Sequence, residues 1–393
     1  MLDSIAANSC VAARGCAWIR QVAALAPLLL AACAAGPGPQ RAASVYTATA
    51  PSAEERYCAW FGDVDGAVLY FGESAFWSAY RAAGNQPTAV LAHAGPARIG
   101  RFDLAAERFL APLDVTLPED RSGVWDVLAH PNGRIYFTTY FGTSGYVDPK
   151  SGEQRRFEDA GRGLNELALG PEGRILVTRY GPRDGRAAGG SVVLLDEDGQ
   201  VLAEHRLTAP SGYRAAPKTV AFDPEAERIW VTTDGLGVGE NAGAPARHDA
   251  YVLDANGGEL LRVADPEIQF VAFAPDGTGY RAEVQGDRLW LRIAPPESAG
   301  AQVDELRVPL EHAFAIGADF VQDIQFATDG RAVLTRWSGW VHVVDDSGRI
   351  RSLRLPPLEE GGLYYTAGLR NGRICASYCG EVSVVCRLLD PTP

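Results

Sequence analysis

One pattern recurs along this chain and limits what it can fold into. Trp125–Thr139 reads WDVLAHPNGRIYFTT, Asn165–Arg179 reads NELALGPEGRILVTR, and Lys218–Thr233 reads KTVAFDPEAERIWVTT. Further copies are QFVAFAPDG at Gln269–Gly277, QDIQFATDGRAVLTR at Gln322–Arg336 and YYTAGLRNGRICASY at Tyr364–Tyr378. A degenerate copy lies at Cys58–Gly72. Each copy is an alternating apolar strand, a turn and a second apolar strand. The turn has a mechanism, because Pro presets φ and Gly supplies φ > 0. More strands follow most copies, as in Ser191–Leu195 and Ala250–Leu253.

The copies start near residues 59, 126, 166, 219, 270, 323 and 365, so their spacing runs from 40 to 67. Four short strands at that period predict an all-β fold, a β-propeller of seven four-stranded blades. Six blades remain open if the long first copy is not a regular blade. The stretch resembles the broad group of propellers with NHL-type or gluconolactonase-like blades. That likeness speaks to architecture and little to function. The last copy leaves room for three strands, and Ser44–Ala50 alternates like a strand. It is expected to close the last blade and remove an exposed edge.

The first 32 residues predict an export signal. Arg14 and Arg20 precede an apolar run from Val22 to Ala32, of secretory length and too short to span a bilayer. The run ends Leu30-Ala31-Ala32-Cys33, which resembles the lipobox of bacterial lipoproteins. The resemblance implies lipidation of Cys33. Ala34, rather than Asp, follows it, which implies the outer membrane. The expected organisation is a lipoprotein signal at 1–32, a flexible Ala/Gly/Pro tether at 33–43 and a propeller domain at 44–393. The alternative is a plain secretory signal with a chance cysteine.

Removing Cys10, Cys16 and Cys33 leaves Cys58, Cys375, Cys379 and Cys386. Four cysteines in an exported chain suggest disulfides, with three possible pairings. A two-residue turn at Gly380-Glu381 sets 375 opposite 386 and leaves Cys58 for Cys379. The competing reading is a cysteine metal site.

Stacking the copies yields candidate site residues, given that propeller resemblance puts the first strand of each blade on a central channel. One position holds Cys58, Trp125, Asn165, Lys218, Gln269, Gln322 and Tyr364. Asn165, Lys218, Gln269, Gln322 and Tyr364 are candidates to hydrogen-bond a small ligand or a water column. The next position carries Asp126, Glu166 and Asp323, weak candidates for a hard cation such as calcium. Their other reading is bonding to backbone amides between blades. The gluconolactonase family binds its divalent metal with a Glu, an Asn and an Asp at the first level. Asn165 alone matches that set here, so no cofactor is expected.

Aromatics and arginines gather where second strands end. Arg179 and Arg336 share one repeat position, and Trp337 and Trp340 flank Ser338-Gly339. These four are candidates for a recognition face. His248, beside Asp249 in a long loop, is the histidine to test. No metalloprotease, nucleophile-elbow or P-loop motif is present. The net charge of −13 argues against nucleic acid. These features favour a lipid-anchored envelope propeller that binds a protein or small-molecule ligand at its loop-rich face without catalysis. The alternatives are a lactonase-like hydrolase or lyase acting on a small cyclic or sugar-derived substrate, and a scaffold subunit of an envelope complex.

Overall fold

The computed structural model describes residues 43–48, 58–74, 97–115, 123–139, 142–180, 190–241, 247–264, 267–286, 288–295, 306–310, 319–345, 347–358, 362–379 and 382–389. Signal, Cys33 and nearly all of the tether lie outside these residues. No helix among them is long and apolar enough to cross a membrane.

Seven antiparallel sheets form the blades of a propeller. The innermost strands are Cys58–Asp65, Asp126–Ala129, Leu164–Leu169, Tyr213–Asp223, Glu267–Phe273, Val321–Phe326 and Leu363–Arg370, in blades 1 to 7. Six sheets have four strands and blade 1 has five, because Arg108–Phe109 and Leu113–Val115 both pair with Ala97–Asp103. The long first copy is therefore a blade, and the count is seven.

The repeat turn behaves as its chemistry predicts. Gly66, Gly133, Gly173, Gly277, Gly330 and Gly372 all hold positive φ between the first two strands of their blades. Blade 4 has Glu227 there instead, at φ 49°.

Ser44–Thr47 pairs antiparallel with Val382–Leu388, with Ser44 opposite Cys386 and Thr47 opposite Ser383. The first and last described strands therefore complete one sheet, as expected from the sequence. Both disulfides also form as expected. Cys375 faces Cys386 across two strands, and Cys58 joins blade 1 to Cys379 of blade 7. Disulfides fit an oxidising, exported setting.

Apolar side chains pack between blades. Each junction among the described residues has its own buried cluster, from Ala59, Phe71 and Val384 at blades 7 and 1 to Tyr280, Leu291 and Val344 at blades 5 and 6. The blade 4–5 cluster is small, with Ala221, Ala250, Ile268 and Val271.

Candidate functional site at the channel mouth

Six of the seven innermost strands carry an irregularity at one place. Register with the second strand shifts between Ala59 and Gly62, Leu164 and Leu167, Pro217 and Thr219, Ile268 and Phe270, Val321 and Asp323, and Tyr364 and Ala367. A bulge frees one or two residues from the ladder and re-aims their side chains. The freed residues include Phe61, Asn165, Lys218, Gln269, Gln322 and Tyr365. Trp125 occupies the matching place just before blade 2's inner strand.

This ring corrects the sequence alignment at two blades. In blade 1 the freed residues are Trp60 and Phe61, not Cys58. Tyr365, not Tyr364, holds it in blade 7. Tyr364 is buried, packs on Tyr378 at 4.9 Å and donates its hydroxyl to the Pro356 carbonyl at 2.5 Å.

Blades 7, 1 and 2 give the ring an aromatic arc. Phe61 lies 4.8 Å from Tyr365 and 5.6 Å from Trp125, and Trp60 stacks beneath Trp125 at 4.8 Å. Blades 3 to 6 give it a polar arc. Asn165, Gln269 and Gln322 are buried, and Asn165 Oδ1, Gln269 Oε1 and Gln322 Nε2 have no hydrogen-bond partner. Buried polar atoms left unpaired are rare and call for a partner. Lys218 of blade 4 reaches past blade 5, with its Nζ 4.9 Å from the Phe320 ring of blade 6.

Beside Lys218 sits an acid–base group. His248 Nδ1 lies 2.9 Å from Asp234 Oδ1, and its Nε2 is 3.7 Å from Glu267 Oε1. Gln269 Nε2 donates to the same Glu267 oxygen. Burial works against the imidazolium, but the Asp234 hydrogen bond and the Asp234 and Glu267 charges outweigh it and raise the His248 pKa. Burial also pushes Asp234 up, yet its bond to His248 and the Lys218 charge leave it below the ordinary value. Burial raises Glu267. His248 therefore pairs with Asp234, while neighbouring Asp249 is drawn towards Arg247 at 3.6 Å.

The inner carboxylates hold blades together. Asp63 accepts from the amide of Ala129 at 2.9 Å, and Asp126 from that of Leu167 at 2.7 Å, each bridging to the next blade. Asp323 accepts from Gln325 Nε2 at 3.0 and 3.1 Å. Burial raises Asp63 to about 6 and Asp323 to about 7. Burial, with the charges of Asp126 and Asp323, holds Glu166 well above the usual range. No group of three or more metal-ligating side chains converges among the described residues.

Arg179 and Arg336 are corrections, because both are buried rather than displayed. Arg179 bonds Glu204 at 2.9 Å and the carbonyls of Arg162 and Ala160. Arg336 is clamped by Asp319. Trp337 is half-buried, edge-on to Phe320 at 4.9 Å, and its Nε1 has no partner. That contact brings it to the Lys218 side of the mouth. Half-buried Trp340 lies beside His342 and Arg354, away from the ring. Sequence reasoning missed Phe61, Tyr365, Asp234 and Glu267.

No family model and no curated protein sequence matches the chain. Solved structures do. A catalytically inactive histidine variant of virginiamycin B lyase from Staphylococcus aureus, with quinupristin, has a TM-score of 0.54 and 11% identity. The alignment covers 89% of this chain and 100% of that one. The selenomethionine-substituted lyase matches at a TM-score of 0.53 and 11% identity, with the same coverage. At that identity the likeness concerns architecture, and the chain is a seven-bladed β-propeller.

Proposed function

We propose that the channel mouth binds a small molecule and that His248 exchanges a proton with it, which makes the chain a propeller enzyme of lyase or hydrolase type. The Asp234–His248 pair carries this reading. With Nδ1 turned to Asp234 at 2.9 Å, Nε2, 3.7 Å from Glu267 Oε1, is the nitrogen that would serve the ligand. A carboxylate that orients an imidazole and favours its charged form is the arrangement of general acid–base chemistry. The aromatic arc supplies apolar area and the unpaired amides supply orientation. The likeness to a lyase for which a histidine variant is catalytically inactive supports the same reading.

Quinupristin and a panel of lactones, incubated with the protein and followed by chromatography and mass spectrometry, test it. Ring opening by the wild type that is lost in His248→Gln supports the proposal. Ring opening that survives His248→Gln overturns the role of His248. Binding without turnover returns the mouth to a recognition site, a reading favoured by the unpaired Asn165, Gln269 and Gln322 atoms.

The lipobox-like Leu30–Cys33 supports a lipid anchor in the envelope. Cys33→Ser abolishes palmitate labelling and membrane fractionation on this reading. A variant that still labels overturns it.

A further inference from the structure

The unpaired polar atoms of the channel mouth sort by kind. Asn165 Oδ1 and Gln269 Oε1, in blades 3 and 5, are acceptors. On the blade 6 side the unpaired atoms are donors, Gln322 Nε2 and Trp337 Nε1. Trp337 meets the Phe320 ring edge-on at 4.9 Å, and its amide donates to the Phe320 carbonyl at 3.0 Å. Gln322 stands two positions beyond Phe320. Lys218 reaches this corner from blade 4, with Nζ 4.9 Å from the same ring. Among the described residues its ammonium has no hydrogen bond and no ion pair. The Phe320 corner thus gathers one charged and two neutral donors, and no acceptor of the protein meets them.

The carboxylates around the corner are accounted for elsewhere. Asp319 Oδ1 accepts from the amides of Phe320 and Ser338, and its Oδ2 from Arg336 and the Ser338 hydroxyl. Three other carboxylates act on Lys218 through space, Asp234, Glu267 and Glu166. Asp234 is bonded to His248. Glu267 accepts from Gln269 and faces His248 Nε2. Burial favours the neutral forms of Glu267 and Glu166. Two cations, Lys218 and His248, therefore share one carboxylate that keeps its charge, Asp234.

We infer that the ligand of this mouth is an aromatic carboxylate whose carboxyl group seats on Lys218, Gln322 and Trp337. The inference rests on the reading that the mouth binds a small molecule, and it names the class. An ionised carboxylate only accepts hydrogen bonds, so it fits a corner that only donates. Bonds to an ammonium are the stronger, charge-assisted kind. The ligand's ring lies against the aromatic arc of Phe61, Trp125 and Tyr365 across the channel. A hydroxyl or N–H between ring and carboxylate serves the oxygens of Asn165 and Gln269. One uncompensated lysine suits a monoanion.

Titration calorimetry with phenyllactate tests it, against two probes that each lack one feature. Phenyllactamide has no charge, and lactate has no ring. The wild type is expected to bind phenyllactate, and each other probe about tenfold more weakly or worse. Lys218→Met keeps the stem over Phe320 and removes the charge. It brings phenyllactate down to the affinity of the amide and leaves the amide's own affinity in place. Gln322→Leu breaks no hydrogen bond among the described residues and weakens phenyllactate as well. Melting curves establish that both variants are folded. Equal affinity of the wild type for acid and amide, or acid binding unchanged in Lys218→Met, overturns the carboxylate seat and leaves the mouth a small-molecule site. Lactate bound as tightly as phenyllactate overturns the place given to the ring. No heat with phenyllactate up to about 10 mM overturns the whole assignment. Phenyllactate that binds as expected, in a protein that opens no lactone, upholds the carboxylate seat while the acid–base role of His248 fails.

Discussion

Arg336 Nε donates to Asp319 Oδ2 at 2.8 Å, and the same carboxylate group holds the amide and hydroxyl of Ser338. Both partners are enclosed, so the pair braces the loop between the second and third strands of blade 6. Arg336→Ala strands a buried carboxylate and is expected to cost about 3–5 kcal/mol. Denaturant unfolding checks this. A loss below about 1 kcal/mol would show the pair to behave like an exposed one.

Stability should fall as pH rises towards neutrality. Burial lifts Asp323 from 3.8 to about 7 and Asp63 to about 6. The folded state therefore keeps protons that the unfolded state has released, and stability declines between about pH 4 and pH 7. Asp323→Asn should flatten that slope and stabilise the protein at pH 7.5. Melting temperatures across the range decide it, and an unchanged slope in the variant refutes the assignment.

His248 acts in the other window. Its folded pKa is raised, so its contribution is present below the unfolded value of 6.5 and is lost as pH rises through the folded value. His248→Gln should remove a stability decline above pH 6.5 while leaving the acid slope intact. Parallel melting curves of the two proteins are the measurement.

Glu227 holds positive φ where six other blades have glycine. Left-handed backbone costs an L-residue about 1–2 kcal/mol, and glycine avoids that strain at some cost in chain entropy. Glu227→Gly should therefore stabilise by about 0.5–1 kcal/mol, read as a shifted denaturant midpoint with unchanged slope. A destabilised variant would mean that Glu227 makes contacts worth more than the strain.

Removing residues 44–47 should lower the melting temperature substantially, although the segment looks like a tail. It pairs along four residues with Val382–Leu388, and Tyr46 packs on Phe102 and donates to Glu107 at 2.5 Å. An unchanged melting temperature would contradict the closure.

The architecture was legible because turn chemistry and strand alternation are local. The repeat turn follows from turn chemistry, the closing strand from the propeller expectation, and the cysteine pairs from a two-residue turn taken at Gly380-Glu381 among three possible pairings. The site was legible only in part. A bulge adds a residue without a sequence mark, so the alignment slipped at Cys58 and Tyr364, while Asn165, Lys218, Gln269 and Gln322 lie at the shifted positions of their inner strands. Arg179 and Arg336 looked like a display position because Glu204 and Asp319 lie 25 and 17 residues away. His248 seemed to belong with Asp249. Strand alternation sends adjacent side chains apart, and the partner Asp234 comes from a neighbouring strand.

Closing blade 7 with Ser44–Thr47 makes one hairpin depend on residues more than three hundred positions apart. Among the described residues every other strand pair in the ring forms between near neighbours in sequence, which favours rapid local assembly. The closing rung is the exception, and it must wait for both ends of a nearly finished ring. A circular permutant that places residues 44–47 after residue 389 would turn that long-range meeting into a local turn. Its native ring would be the same, and its refolding would lose the slow search for the chain ends.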